Sequence, residues 1–144
     1  MNLPRTENEI IDKISKHGIK PSLQRIQIYT FLCNNRIHPT AERVYSALAP
    51  SIPTLSKTTV YNTLKLFNQQ HLIQSLTIEN EELRYDANTS DHIHFKCESC
   101  GEIYDIENQQ IVEFHKLLTN TLPKNYVAQK TQTFIWGICD CCKK

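Results

Sequence analysis

Cysteine is placed in this chain for metal chemistry. Two C-x2-C pairs occur, Cys97 with Cys100 and Cys139 with Cys142. Four thiolates at that spacing suit one tetrahedral zinc ion, and a closed four-sulfur shell keeps no position open for a substrate. Such an ion holds structure together rather than catalysing a reaction. A second group of different chemistry sits beside the first pair: Asp91-His92-Ile93-His94 just upstream, and Asp105 just downstream. Imidazole and carboxylate ligands with an open position suit Fe(II), Mn(II) or Zn(II). Cys141 is left over; a Cys139-x-Cys141 arrangement is the less favoured option. Cys33, inside an apolar helical stretch, reads as a core thiol.

These ligands need elements to position them. Residues 92–97 alternate, with Ile93 and Phe95 on one face and His92 and His94 on the other. Residues 102–106 form the natural hairpin partner across a turn at Cys97–Gly101. If Cys97 pairs with Glu102, His94 falls directly opposite Asp105, and directly opposed residues share a face. His92, His94 and Asp105 would then converge, whereas a one-residue slip would separate them. An amphipathic helix is expected over 109–120, ended before Pro123, and a long strand over 126–138 leads into the last cysteine pair. Since 38 residues separate the two pairs, more than in a usual zinc ribbon, zinc would tie the chain's end back onto the hairpin. His17, His71 and His115 have no comparable neighbours and read as structural.

The first half is helical. Thr6 with Glu9 fits a capping box, and Ile10, Ile11 and Ile14 form a stripe. A second helix opens at Pro21 or Ser22 and runs to about Cys33, apolar round much of its axis and therefore expected to be central. Thr40 and Ser56 can cap a third and a fourth helix. The fourth, to about Gln70, buries Val60, Leu64 and Phe67 and turns Thr58, Tyr61, Asn62 and Lys65 outward. Two strands, 72–78 and 82–86, flank a polar turn at Glu79-Asn80-Glu81, and Asn88-Thr89-Ser90 reads as a linker. Helices followed by a small hairpin are the order of a winged helix-turn-helix. Its outward face can enter a major groove: Lys57 and Lys65 neutralise phosphates, Tyr61 stacks on sugar or a thymine methyl, and Asn62 bonds an adenine edge. Arg25 is a further phosphate contact. The expected domains are 1–87, which binds DNA, and 88–144, which carries the metals.

Charge divides the same way. Residues 1–70 hold nine Lys/Arg against four Asp/Glu, a balance of +5; residues 71–144 hold seven against eleven, a balance of −4. A basic half joined to an acidic one fits a nucleic-acid reader attached to something else. No apolar run approaches the ~18 residues of a membrane span. The N-terminus carries no apolar signal region, so the chain is expected in the cytoplasm, where paired cysteines read as metal ligands and not disulfides. Two other function classes fit less well. A thiol oxidoreductase would place C-x2-C at a helix start after a strand, in βαβ order, whereas here a hairpin and Gly101 surround it. A metal carrier without DNA affinity would show no salt-dependent duplex binding.

In combination these segments resemble the ferric uptake regulator superfamily. The resemblance rests on Arg25, His38-Pro39-Thr40-Ala41-Glu42, Thr59-Val60-Tyr61-Asn62-Thr63-Leu64, Arg84-Tyr85-Asp86, His92-x-His94, Cys97-x2-Cys100-Gly101 and Gly137-Ile138-Cys139-x2-Cys142. It covers nearly the whole chain. It implies an α+β protein: a homodimeric repressor, not an enzyme, with an N-terminal winged helix-turn-helix that binds double-stranded operator DNA and a small α/β dimerisation domain with a four-cysteine zinc site. Within that family the chain is similar to the peroxide-responsive branch. Asp86 stands where the iron-responsive branch typically has Glu, the segment before His92 lacks a long His run, and Asn62 replaces a common Arg. The branch's regulatory Fe(II) or Mn(II) ligands fall on His38, Asp86, His92, His94 and Asp105. The resemblance further implies that Fe(II) and peroxide convert His38 or His92 to an oxo-histidine, releasing DNA. The neighbouring alternative is a repressor that binds iron or zinc reversibly through the same five residues. Ser22, where Thr is usual, and the extra Cys141 are departures that touch no ligand.

Overall fold

The computed structural model describes residues 2–144, which divide into two compact units, one running to Thr89 and the other spanning Ser90–Lys144. None of the helices is long and apolar enough to cross a membrane, among the described residues.

The first unit is built from four helices and a hairpin: α1 (Glu7–Lys16), α2 (Leu23–Asn34), α3 (Ala41–Leu48), α4 (Lys57–Gln69), β1 (Gln74–Leu76) and β2 (Arg84–Asp86). Each helix start is fixed by a hydroxyl that accepts an otherwise orphan backbone N–H. Thr6 and Glu9 complete a capping box, Ser22 accepts from Arg25, Thr40 from Arg43 and Ser56 from Thr59. The core takes Ile10 and Ile14 from α1, Ile28, Tyr29 and Leu32 from α2, Val44 from α3, and Val60, Leu64 and Phe67 from α4. Tyr29 and Phe67 meet edge to face, with ring centroids 5.9 Å apart. Cys33 is buried beside them, as expected of a core thiol. The second helix is less central than its composition implies, because its first residue, Leu23, is 70% exposed.

The hairpin is antiparallel, with Gln74 opposite Asp86 and Leu76 opposite Arg84. Its strands are shorter than the expected 72–78 and 82–86. The amides of Leu72 and Ile73 bond the Phe67 carbonyl at the end of α4, and both side chains join the helical core. Those two residues therefore finish the helix instead of opening the ladder.

The second unit is a three-stranded sheet in the order β4-β3-β5, with one helix. Strands β3 (Ile93–Cys97) and β4 (Ile103–Ile106) are antiparallel, while β5 (Phe134–Gly137) runs parallel to β3. Helix α5 (Gln109–Asn120) is capped by Asn108, whose side chain accepts from the Gln110 amide at 2.8 Å. The strand expected over 126–138 is confined to its last third. The parallel register sets His94 opposite Phe134, so residues before Thr133 run past the start of β3 and meet no ladder. Residues 121–130 are all exposed.

Candidate metal centres and nucleic-acid interface

The four-cysteine cluster is assembled from the two ends of the second unit. The β3–β4 turn supplies Cys97 and Cys100; a 3-10 turn over Asp140–Cys142, directly after β5, supplies Cys139 and Cys142. Gly101 makes the first turn by adopting a φ of +77°, a backbone state that costs glycine little. The four Sγ atoms lie within 4.8 Å of one another. Cys100 and Cys139 are 3.9 Å apart, close to the ~3.8 Å that two sulfurs need on a tetrahedral ion with ~2.3 Å bonds. Cys97 and Cys139 are buried. The Cys97 thiol is pulled down to about 6, first by the backbone N–H of Cys100 and then by that of Cys139, so it is poised as a thiolate ligand. Cys141 lies outside the four and is exposed. The donor set and its spacing fit a structural zinc ion.

The expected register of the hairpin is the observed one. The Cys97 amide bonds the Glu102 carbonyl at 3.0 Å, and His94 lies opposite Asp105. Three candidate ligand atoms therefore meet. The His92 and His94 Nε2 atoms are 2.9 Å apart, and Asp105 Oδ1 lies 3.1 Å from the first and 3.3 Å from the second. Adjacent ligands on an ion with ~2.1 Å bonds are about 3 Å apart, so the triplet fits one face of a coordination sphere. Both imidazoles are buried. The Ser90 carbonyl sits 2.7 Å from His92 Nδ1, which turns Nε2 toward His94 and Asp105.

In the first unit, His38 and Asp86 form a second buried pair, Nε2 to Oδ2 at 3.4 Å. His38 has a φ of +51°, a left-handed conformation that a residue with a Cβ adopts at a cost. Its place is over-determined. Arg84 donates to the His38 carbonyl at 3.1 Å while its guanidinium also grips Glu79 at 2.8 and 3.0 Å, and the Tyr85 amide bonds the adjacent Pro39 carbonyl. Asp86 in turn accepts the Asn88 amide at 2.9 Å, and Asn88's carbonyl accepts from Gln74 at 2.6 Å. Asn88 is buried and orders a carboxylate, so it is more than the linker its composition indicates. Sequence reasoning missed Arg84, Glu79, Asn88 and Ser90 as supports, because backbone carbonyls and amides do most of that work and leave no residue signature. His115 is buried, bonds Thr133 at 2.9 Å and lies 3.7 Å from the Asp91 carboxylate, a neighbour that its sequence position did not indicate.

The outward face of α4 is as expected: Lys57, Thr58, Tyr61, Asn62 and Lys65 are all exposed. Lys57 differs from a free phosphate contact, for its ammonium pairs with Glu42 at 3.0 Å and lies over the Tyr45 ring. Arg25 is half-buried and donates to the Lys20 carbonyl at 2.7 Å, which holds its guanidinium in a groove of about 500 Å³ between α2 and α4.

Comparisons with known proteins agree with this geometry. The Ferric uptake regulator family model matches residues 16–131. The peroxide-responsive repressor PerR of Staphylococcus epidermidis is 33% identical over 136 residues, which cover 94% of this chain and 89% of that protein. PerR of Staphylococcus aureus (strain Mu50) is also 33% identical, over 94% of this chain and 90% of its own length. Among solved structures, the Helicobacter pylori ferric uptake regulator, described as having three functional metal-binding sites, superposes with a TM-score of 0.73 at 22% identity, covering 100% of this chain and 98% of that one. PerR of Streptococcus pyogenes superposes at 0.53 with 24% identity, over 99% and 96%. With four-fifths of its length matched by the family model, the chain belongs to the ferric uptake regulator family of metal-responsive transcriptional regulators.

Proposed function

We propose that the protein is a homodimeric, metal-dependent repressor that senses hydrogen peroxide. In this reading Cys97, Cys100, Cys139 and Cys142 hold structural zinc. His38, Asp86, His92, His94 and Asp105 hold one regulatory Fe(II) or Mn(II). The observation that carries the reading is the convergence of His92, His94 and Asp105 within 3.3 Å in the second unit, together with a buried His38–Asp86 pair within the first. Five ligands of this hardness leave a sixth position for a small oxidant. The similarity to peroxide-responsive repressors and the Asp at position 86 favour peroxide over simple metal sensing.

Fe(II), when bound, would relay electrons from the ring to peroxide and end unchanged, chemistry that Mn(II) would not readily supply. The protein's part is to hold the His38 and His92 rings where oxidation strikes. One peroxide oxygen enters a ring C–H bond and the other leaves as water. A ligand altered in this way no longer ties the DNA-reading unit to the metal-bearing one. The recognition helices of the dimer then lose their matched spacing on the operator. Arg25, Lys57, Thr58, Tyr61, Asn62 and Lys65 are the proposed contacts to duplex DNA. Exposed apolar side chains of the second unit, among them Phe114 and Leu117 of α5, 47% and 62% exposed, and Trp136 of β5, 50% exposed, would meet the second copy. The reading puts the dimer in the cytoplasm with its operator.

The test is operator binding by zinc-containing protein loaded with Fe(II) or with Mn(II), before and after stoichiometric peroxide, followed by peptide mass analysis. The expected result is loss of binding only with Fe(II), with one oxygen added on the His38 or His92 peptide. Binding that survives peroxide but is lost on chelation would assign the protein to the reversible metal-responsive repressors.

A further inference from the structure

The wing of the DNA-reading unit has the wrong charge for gripping a phosphate backbone. Residues 77–83, between β1 and β2, contain three glutamates and no lysine or arginine. Arg84, at the start of β2, is turned inward on Glu79 and the His38 carbonyl, and its side chain is only 15% exposed. Glu79 is consumed in that pair. Glu81 and Glu82 remain, both exposed. With Leu83 they wall a groove of about 460 Å³ whose opposite wall is Tyr61, Asn62 and Lys65 of α4. The surface that reads bases and the surface that carries two carboxylates thus share one cleft.

A duplex presents one negative charge per ~1.7 Å of axis. Carboxylates within a Debye length of ~8–10 Å of it are repelled. The penalty depends on the pose. A protein on arbitrary sequence is held by phosphates alone and samples many orientations, many of which press the wing against the backbone. A protein on its operator is locked by base-edge contacts from α4 in one orientation. We propose that Glu81 and Glu82 are specificity-determining residues: their charge suppresses binding to arbitrary duplex more than binding to the operator. The proposal rests on the DNA-reading function of α4 given above.

The test uses full-length, zinc-containing, Mn(II)-loaded protein, a duplex selected by the wild type from a random library, and a random-sequence duplex. The double variant Glu81→Gln, Glu82→Gln is compared with wild type across a salt series, with zinc content and thermal unfolding confirming that both are folded. The expected result is a gain of about tenfold on the random duplex, with a steeper salt dependence, and a clearly smaller gain on the selected duplex. The charge-reversing pair Glu81→Lys, Glu82→Lys should enlarge both effects. An equal gain on both duplexes, no gain on either, or a loss on the selected duplex overturns the proposal; the last would make the carboxylates base contacts. A wild type that selects no duplex at all would overturn the DNA-reading function itself, and this proposal with it.

Discussion

The two units solve the problem of stability by different means. The first buries apolar side chains from four helices around Tyr29, Phe67 and Leu64. In the second, the buried residues are mainly ligand types: Cys97, Cys139, His92, His94 and His115, with Ile103 the one large aliphatic side chain among them. A unit of 55 residues is marginal on burial alone, and this one buries a single large aliphatic side chain. Structural zinc contributes ~10–16 kcal/mol in small finger peptides, comparable to the whole stability of a domain. The lesson is that one half has its stability written in periodicity and the other in ligand spacing, so they should fail under different treatments.

Zinc removal should show the largest difference. Stripping zinc, or the substitution Cys97→Ser, should unfold the second unit and leave the first folded. The chain's one tryptophan, Trp136, lies in β5 and reports on the second unit. Its fluorescence should shift to that of exposed indole while helical circular dichroism is mostly retained. Loss of both signals together would merge the two units into one cooperative body. The converse is Phe67→Ala, which should cost about 3–5 kcal/mol through the cavity left in the helical core. Urea unfolding should register that loss with bound zinc unchanged at one per chain. Smaller still is Ser56→Ala, which removes the cap of α4 and should lower first-unit stability by about 1 kcal/mol.

Below pH 9 the effect of pH on the buried Cys33 thiol is the smallest of these. Burial pushes the Cys33 thiol up to about 11, from an ordinary value near 9.0. Its neutral form is the one the fold favours, so its contribution is intact below pH 9 and declines as pH rises toward 11. Cys33→Val should flatten that part of the curve in urea titrations of the first unit. The same buried thiol should resist alkylation that modifies exposed Cys141.

Reading these halves from sequence succeeded where one local rule sets the outcome. Hydroxyls before apolar stripes placed three helix starts of the first unit, at Thr6, Thr40 and Ser56, and narrowed the fourth to Pro21 or Ser22, because a cap satisfies its own helix and needs nothing distant. The hairpin turn over Cys97–Gly101 was enough to set His94 against Asp105, since a turn of fixed length fixes register. Failures came where a partner outside the segment decides. Leu72 and Ile73 look like strand residues, but the Phe67 carbonyl and the helical core claim them. Tyr126, Val127 and Thr131 suit a strand, yet the parallel register carries residues 126–132 past the start of β3. The left-handed backbone at His38 depends on Arg84, 46 residues away, and no spacing rule connects the two.

The exposed stretch over residues 121–130 has one more consequence. It lies inside the loop that the four-cysteine cluster closes, between Cys100 and Cys139. A protease nick there would break the covalent chain without freeing either fragment, since zinc and the β3–β5 ladder would hold both. Covalent continuity is dispensable at that point, and the second unit should be reconstitutable from two separately made peptides mixed with zinc.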